Sequence, residues 1–146
     1  MKTENKTYHT PALGCMLGSA NQILLKELET ALKAAGLALT TTEYLVMRAL
    51  YHQEGIQQCE IADMVGRDKA GICRCVAGLV KKGLIQTEPV SYKCLRVYLS
   101  DSGRAIRESV MKVAESRHQA LVDLVSSEEL EVFNKVLQTI IDTKTK

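Results

Sequence analysis

The segment from residue 57 to residue 99, QQCEIADMVGRDKAGICRCVAGLVKKGLIQTEPVSYKCLRVYL, constrains the fold more than any other part of the chain. Two short helical patterns are joined by Gly66, and Gly83 separates the second pattern from two strand-like runs. This order predicts a helix-turn-helix followed by a β-hairpin, or wing, an arrangement that can place one helix in the major groove of DNA.

The second helix of this motif is predicted to run to Lys82 with Asp68 as its N-cap. Its inward face carries larger apolar residues: Ile72, Val76, Leu79 and Val80. Its opposite face repeats small and basic residues with helical spacing: Ala70, Arg74, Ala77 and Lys81. Because small residues allow close approach to a groove, Arg74 can reach the O6 and N7 edge of guanine. The alternatives for Arg74 are a phosphate contact or a salt bridge to Asp68 or Glu88.

The two strands of the wing are predicted at residues 84 to 88 and 94 to 99. In the second run apolar residues alternate with accessible ones, which is typical of a strand with one packed face. The inward residues of that run are Leu95, Val97 and Leu99. The polar tip between the strands is assigned to Pro89, Ser91 and Tyr92.

Basic residues are concentrated between residues 66 and 107. That segment holds nine Lys or Arg and three Asp or Glu, a local charge of +6 in a chain whose formal net charge is +2. A positive surface attracts a phosphate backbone because neutralised phosphates release condensed counterions. This distribution favours a nucleic-acid-binding face over an evenly charged, solvated surface.

Three helical patterns lie at or before the start of this segment. The first is predicted from Thr10 to about Ala35, with Thr10 as N-cap and Pro11 at the first helical position. Thr40 and Glu43 form a capping-box pattern before the second. The third is the first helix of the helix-turn-helix, residues 58 to 65.

Two more helices are predicted after the wing. Ser100 is expected to cap a long helix that ends at about Val125. Ser126 and Glu129 form another capping box, which opens a last helix to about Thr143.

The terminal helices carry more apolar surface than one winged helix can cover. We therefore expect a mainly α fold with a small β-hairpin wing, in the α+β class, and a homodimer built from both chain ends. The chain is interpreted as a single domain, residues 1–146. Its winged helix-turn-helix core is assigned to residues 37–100, and its dimerisation helices to residues 8–36 and 101–146.

The sequence offers no pattern for other classes of function. It has no run of about 18 apolar residues and no secretory signal, so we expect a cytoplasmic protein that does not contact membranes. His9, His52 and His118 lie far apart, which argues against a metal site. No phosphate-binding loop, nucleophile elbow or carboxylate pair is recognisable, so we expect no enzymatic activity and no cofactor.

The arrangement of a helix before the winged core and two after it resembles the MarR family of bacterial transcriptional regulators over nearly the whole chain. The segments TTTEYLVMRAL, IADMVGRDKAGICRCVAGLVKKGLI and LSDSGRAI carry the resemblance. It implies a dimer that binds double-stranded DNA at a palindromic operator. The predicted DNA-binding residues are Arg67, Lys69, Ala70, Gly71, Cys73, Arg74, Lys81, Lys93 and Arg96.

The wing departs from the family pattern. The usual Asp-x-Arg before the second strand is replaced by Ser91, Tyr92 and Lys93, and the wing is about two residues shorter. Thr87 and Glu88 stand where arginines are common. Contact with the minor groove is therefore assigned to Lys93 and Arg96.

Two kinds of signal input are compatible with the sequence. Thiol oxidation would act at Cys15, placed like the reactive cysteine of the organic-peroxide-sensing branch of the family, or at Cys73, since both positions can disturb the dimer or the DNA face. Cys73 and Cys75 cannot act together, because helical residues two apart diverge by about 200°. The resemblance also implies a small-ligand pocket between the dimer helices and the winged core. Its predicted lining residues, for which ordinary core packing is the alternative, are Leu13, Met16, Met47, Tyr51 and Met111.

The sequence thus predicts a sequence-specific, dimeric DNA-binding transcriptional regulator, a repressor rather than an activator, released by a small ligand or by thiol oxidation. The alternative is a winged-helix protein-interaction module with weak or no DNA binding. The short wing with its acidic residue favours the alternative, whereas Arg74 and the basic segment favour DNA binding.

Overall fold

The computed structural model describes residues 12 to 92 and 94 to 144, so the predicted cap Thr10, Pro11 and Lys93 lie outside the described residues. Seven helices and three strands are found in the described part of the chain. In order they are α1 (Leu13–Ala34), α2 (Thr41–His52), β1 (Ile56–Gln57), α3 (Gln58–Val65), α4 (Lys69–Lys81), β2 (Ile85–Ser91), β3 (Cys94–Leu99), α5 (Asp101–Ala105), α6 (Arg107–Val122) and α7 (Ser127–Lys144).

The core is a winged helix-turn-helix, as the sequence predicts. Helices α2, α3 and α4 pack against an antiparallel sheet of strand order β1-β3-β2. Strand β1 is too short to be recognised from sequence; it pairs Ile56 with Val97 and Gln57 with Arg96. Ile61, Ile72 and Leu79 are fully buried between the helices and the sheet.

Local capping contacts begin the helices where the sequence places them. The Thr40 hydroxyl accepts from the Glu43 amide, and the Glu43 carboxylate accepts from the Thr40 amide. Asp68 caps α4 by accepting from the Gly71 amide at 2.6 Å. Gly66 adopts the left-handed conformation at φ 68°, which a side chain would disfavour and which turns the chain from α3 towards α4.

Two predicted features of the core are wrong. Pro89 and Ser91 belong to β2 rather than to the tip, because Pro89 pairs with Leu95 and an irregularity between Pro89 and Ser91 lets the strand continue. Val80 is 42% exposed rather than packed inward. It lies about 80° around the helix from Ile72, at the edge of the buried stripe.

The predicted long helix after Ser100 is interrupted at Ile106, which separates α5 from α6. Ser100 caps α5 as expected, by accepting from the Gly103 amide. The Gly103 carbonyl, which would continue the helical ladder, accepts instead from the Tyr51 hydroxyl at 2.9 Å. A contact from a distant part of the chain thus lies beside the break between α5 and α6.

The ends of the chain form a second region, here called the arms: α1 up to Leu24, together with α6 and α7. The later part of α1 also reaches the core, through the buried Leu28 and Leu32, and α6 does so through the buried Val110. Large apolar side chains are exposed on the first turns of α1 and on α7. The start of α1 and one face of α7 border an apolar groove of about 520 Å³. Its apolar lining residues are Leu13, Leu17, Val132, Phe133, Val136, Leu137 and Ile140.

Across residues 12 to 92 and 94 to 144, no helix combines the length and the apolar character that crossing a bilayer requires.

Candidate nucleic-acid interface

The outer face of α4 is exposed along its length. Ala70, Arg74, Ala77 and Lys81 all face solvent, as their spacing predicts, and Lys69 is exposed at the first position of the helix. Cys73 is exposed on the flank of this face, and the backbone of Gly71 is held by the Asp68 cap. The face therefore presents small residues with cations at its beginning, middle and end.

Arg74 forms no hydrogen bond or ion pair with any residue in the part of the chain that the structure describes. The two acids considered as partners are engaged elsewhere: Asp68 caps α4, and Glu88 accepts from the Tyr98 hydroxyl at 3.4 Å. Arg74 borders a polar cleft together with Arg67, which is half-buried. The guanidinium of Arg74 is thus available to a ligand outside the chain.

A shielded ion pair holds α4 against α2. The Glu43 side chain is largely buried, and its Oε1 lies 2.7 Å from Lys82 Nζ. Lys82 Nζ also donates to the carbonyl of Ala38 at 2.7 Å. The sequence predicts only a capping role for Glu43 and places Lys82 only at the end of α4, because nothing in their separation of 39 residues signals the contact. The pair therefore joins the C-terminal end of α4 to α2.

Cys73 and Cys75 occupy different environments, as the helical geometry predicts. Cys75 is half-buried against the core, and burial, reinforced by the charge of Glu43 and opposed by Lys82, raises the pKa of its thiol to about 11. The Cys75 thiol is therefore protonated at neutral pH.

In the wing, Arg96 forms a hydrogen bond within the chain. It is half-buried on β3, and its Nη1 donates to the carbonyl of Gly55 at 2.7 Å. Arg96 thereby fixes the loop before β1 at the base of the wing. Towards the tip, Val90 and Tyr92 are 49% and 88% exposed.

Of the five residues predicted to line a ligand pocket, Met47 and Tyr51 belong to the core and Met111 packs against it, so these three do not border an open cavity together. Met47 is fully buried in the core, and Leu13 and Met16 are exposed on α1. Met111 borders a shallow, charged cleft on α5 and α6. Tyr51 is buried, which raises the pKa of its hydroxyl to about 12 despite the guanidinium of Arg107, which lies 5.6 Å from the ring centre.

A second polar junction, which sequence reasoning missed, connects the core to the helices that follow it. The carboxylate of Glu54 accepts two hydrogen bonds from Arg104, at 2.9 and 3.0 Å, and one from the Leu99 amide. Hydrogen bonds from Arg104 hold the pKa of Glu54 below its usual 4.5. This contact ties the start of the α5 and α6 segment to the end of β3.

The core geometry and the exposed outer face of α4 define a winged helix-turn-helix protein. The family model described as MarR family matches residues 39–89. The transcriptional regulator HosA of Escherichia coli O111:H- is 26% identical over 106 residues, which cover 71% of this chain and 78% of HosA. The chain is therefore similar to MarR-family transcriptional regulators, and the family model matches the helices of its winged core.

Similarity of fold extends to the arms. A MarR transcriptional regulator from Methanosarcina mazei Go1 superposes with a TM-score of 0.78 at 16% identity, covering 91% of this chain and 95% of its own. CouR from Rhodococcus jostii RHA1, bound to p-coumaroyl-CoA, superposes with a TM-score of 0.75 at 22% identity and covers 88% of this chain and 90% of its own.

Proposed function

We propose that the protein is a dimeric, sequence-specific DNA-binding repressor whose α4 enters the major groove of each half of a palindromic operator. The observation that carries the proposal is the outer face of α4, where Arg74 is unpaired among the described residues and Lys69 and Lys81 flank it. A guanidinium held on a face of small residues can donate two hydrogen bonds to one guanine. The cations at either end suit contacts with phosphate.

The exposed apolar residues of the arms support the dimer. Leu13, Phe133 and Ile140 are 54%, 49% and 44% exposed, although each is a residue type that is normally buried. A second copy packed against these faces would remove their apolar surface from water. Two recognition helices would then face one DNA molecule, and half-sites would be separated by about one helical turn.

A small effector is proposed to release the DNA. CouR, which shares the fold, carries p-coumaroyl-CoA in its crystal structure. A dimer whose two recognition helices are spaced unsuitably for the half-sites cannot bind DNA. A molecule that binds this conformation more tightly than the DNA-binding conformation lowers the affinity for DNA, and the difference between its two affinities sets the size of the effect. The residues predicted for such a pocket lie on α1, α2 and α6, so a site that uses several of them would require the partner's arms or a shift of α1.

Arg74→Ala tests the proposal directly. If Arg74 reads guanine, the substitution should cost about 1 to 3 kcal/mol on the specific site and relax base preference at one position in each half-site. Binding of purified protein to its own upstream DNA would be measured by gel shift with excess nonspecific competitor. Lys112→Ala is the matched control, because Lys112 is an exposed cation on α6, far along the chain from α4.

The alternative is a winged-helix module that binds protein and not DNA. It is supported by the wing, where Glu88 is exposed and Arg96 is engaged with the Gly55 carbonyl. Under that alternative, wild-type protein and Arg74→Ala would bind the upstream DNA equally weakly, and nonspecific competitor would remove both. Loss of binding that is equal on all sequences would instead assign Arg74 to phosphate.

A further inference from the structure

The wing approaches its tip with uncharged, exposed side chains, residues 89 to 92. The pairing of β2 with β3 skips Val90: the residue before it lies opposite Leu95 and the residue after it opposite Cys94, so Val90 is the extra residue of a bulge. Val90 is 49% exposed, and Tyr92, in the turn that follows β2, is 88% exposed. An aliphatic and an aromatic side chain are therefore presented at the end of the wing.

The arginine of the wing is engaged away from this tip. Among the described residues from 85 to 99, Arg96 is the only cation, and its guanidinium donates to the carbonyl of Gly55 at the base of the wing. The acid of β2, Glu88, accepts from the Tyr98 hydroxyl. An outside ligand that meets the described part of the tip therefore meets Val90 and Tyr92 rather than a guanidinium.

The tip continues the proposed DNA face across a cleft of about 630 Å³. Lys69, the first residue of α4, borders this cleft, and so does Ser91, which directly precedes Tyr92. With α4 in the major groove, the phosphate backbone at the edge of that groove would pass Lys69. The minor groove lies on the other side of that backbone, so the tip of the wing is placed over it.

The minor groove suits a phenol as well as it suits a cation. The groove is about 6 Å wide, its walls are sugar C–H groups, and A·T pairs present only acceptors on its floor, adenine N3 and thymine O2. A tyrosine combines an apolar ring with a hydroxyl that can donate a hydrogen bond. A G·C pair adds the N2 amino group of guanine, a donor that projects into the groove.

We propose that Tyr92 enters the minor groove beside each half-site, packs its ring against the sugar walls and donates its hydroxyl hydrogen to an acceptor of an A·T pair. The contact rests on the proposed DNA binding and adds a preference for A·T pairs next to the bases that α4 meets. The amino group of guanine would oppose the ring sterically and would face the phenolic donor with a second donor. Because Tyr92 is uncharged, its contact releases no counterion and is insensitive to salt.

DNA that contains diaminopurine tests the contact. Diaminopurine pairs with thymine and adds an amino group in the minor groove, while its major-groove edge stays that of adenine. The upstream DNA would be made with adenine or with diaminopurine and bound in gel shifts with nonspecific competitor. Diaminopurine should weaken binding of the wild type by roughly tenfold. Tyr92→Ala should bind both DNAs equally, at about the weakened level, and Tyr92→Phe should lie between it and the wild type.

Salt dependence separates this contact from a phosphate contact. Tyr92→Ala should keep the wild-type slope of the logarithm of the binding constant against the logarithm of the salt concentration. Lys69→Ala, across the cleft, should reduce that slope by about 1 for each half-site. Thermal unfolding of Tyr92→Ala should match the wild type, because the side chain is 88% exposed.

The outcomes separate this contact from the proposed function. Wild-type protein that binds both DNAs equally, or a discrimination that survives in Tyr92→Ala and is lost in Lys93→Ala, would overturn the role of Tyr92. A Tyr92→Ala variant that binds DNA as the wild type does would also overturn it and leave the tip as a surface for a protein. If the wild type does not bind the upstream DNA at all, the proposed function fails, and the contact fails with it.

Discussion

The winged core and the arms use apolar residues in opposite ways. In the core, Leu32, Ile61 and Leu79 are completely buried, whereas on the arms Leu13, Phe133 and Ile141 are about half exposed. The core therefore covers its apolar side chains within one chain, whereas the start of α1 and α7 leave theirs exposed. At roughly 25 cal/mol for each Å² of apolar surface, the uncovered faces of α1 and α7 represent stabilisation that only another surface can supply.

The boundary between the two regions runs through single elements. Helix α1 contributes Leu28 and Leu32 to the core, while its first turns belong to the arms. At the other end, Tyr51 and Glu54 of the core hold Gly103 and Arg104. These contacts attach α5, which directly precedes α6, to the core.

The largest effect is expected when charged residues are placed on the apolar surface of the arms. Phe133→Asp combined with Ile140→Asp places two charges in the apolar groove, and we expect dimerisation to weaken by roughly a thousandfold, about 4 kcal/mol. Sedimentation equilibrium would measure the association. Asn134→Asp, which adds one charge of the same sign on α7 outside the groove lining, is the control. If the double variant dimerises as strongly as the control, the exposed apolar residues of the arms do not form a dimer interface.

In the core, Leu79→Ala should destabilise the chain by about 2 to 5 kcal/mol, because it leaves a cavity among fully buried residues. Val80→Ala, one residue further along α4 and 42% exposed, should cost less than about 1 kcal/mol. Urea unfolding at one fixed protein concentration would compare the two, because the stability of a dimer would depend on concentration. Equal losses would mean that α4 packs differently from the arrangement described.

At the boundary, Gly103→Ala should cost about 1 to 3 kcal/mol. A Cβ at this position would overlap the carbonyl oxygen of Leu84, which is backbone and cannot turn aside. Gly78→Ala is the matched control in α4, where the nearest atom would be Glu43 Oε2 at an ordinary 3.5 Å. Because alanine favours helix, the control should be neutral or up to about 1 kcal/mol more stable. Thermal unfolding of both variants would show whether this contact joins the two regions.

The smallest effect is expected for Tyr51→Phe, which removes the hydrogen bond to the Gly103 carbonyl and should cost about 1 kcal/mol at neutral pH. The pKa of Tyr51 is raised to about 12 in the folded chain from an ordinary 10.0. Its contribution is therefore complete below about pH 10 and is lost as the pH rises towards 12. The stability difference between wild type and variant, measured by urea unfolding at increasing pH, should shrink over that window. A difference that stays constant would place the hydroxyl in contact with solvent.

Features that depend on neighbouring residues were predictable from the sequence. The capping boxes at Thr40 and Ser126, the cap at Asp68 and the turn at Gly66 are all found as expected. Each involves groups within three residues of one another, so local chemistry is sufficient to specify it. The outward orientation of Arg74 follows equally from helical spacing.

Features that depend on distant residues were not predictable. Strand β1 exists only because β3 lies beside it, and the Gly103 carbonyl of α5 accepts a hydrogen bond from Tyr51, which is 52 residues away. Of the candidate site residues, Arg96 turned out to be bound to Gly55, 41 residues away, and Met47 to lie in the closed core. The residues next to Arg96 and Met47 in the sequence do not predict either environment.

The sequence by itself therefore determined the class of fold, the ends of most helices and which face of α4 meets solvent, since each follows from contacts over one or two helical turns. Only the tertiary structure decided the pairing of Glu43 with Lys82, the junction of Glu54 with Arg104, and the cleft between Lys69 and the wing. The two ion pairs join residues that are 39 and 50 positions apart. Their meeting depends on how the core folds back on itself, because packing and strand register bring together residues whose separation along the chain carries no periodic pattern.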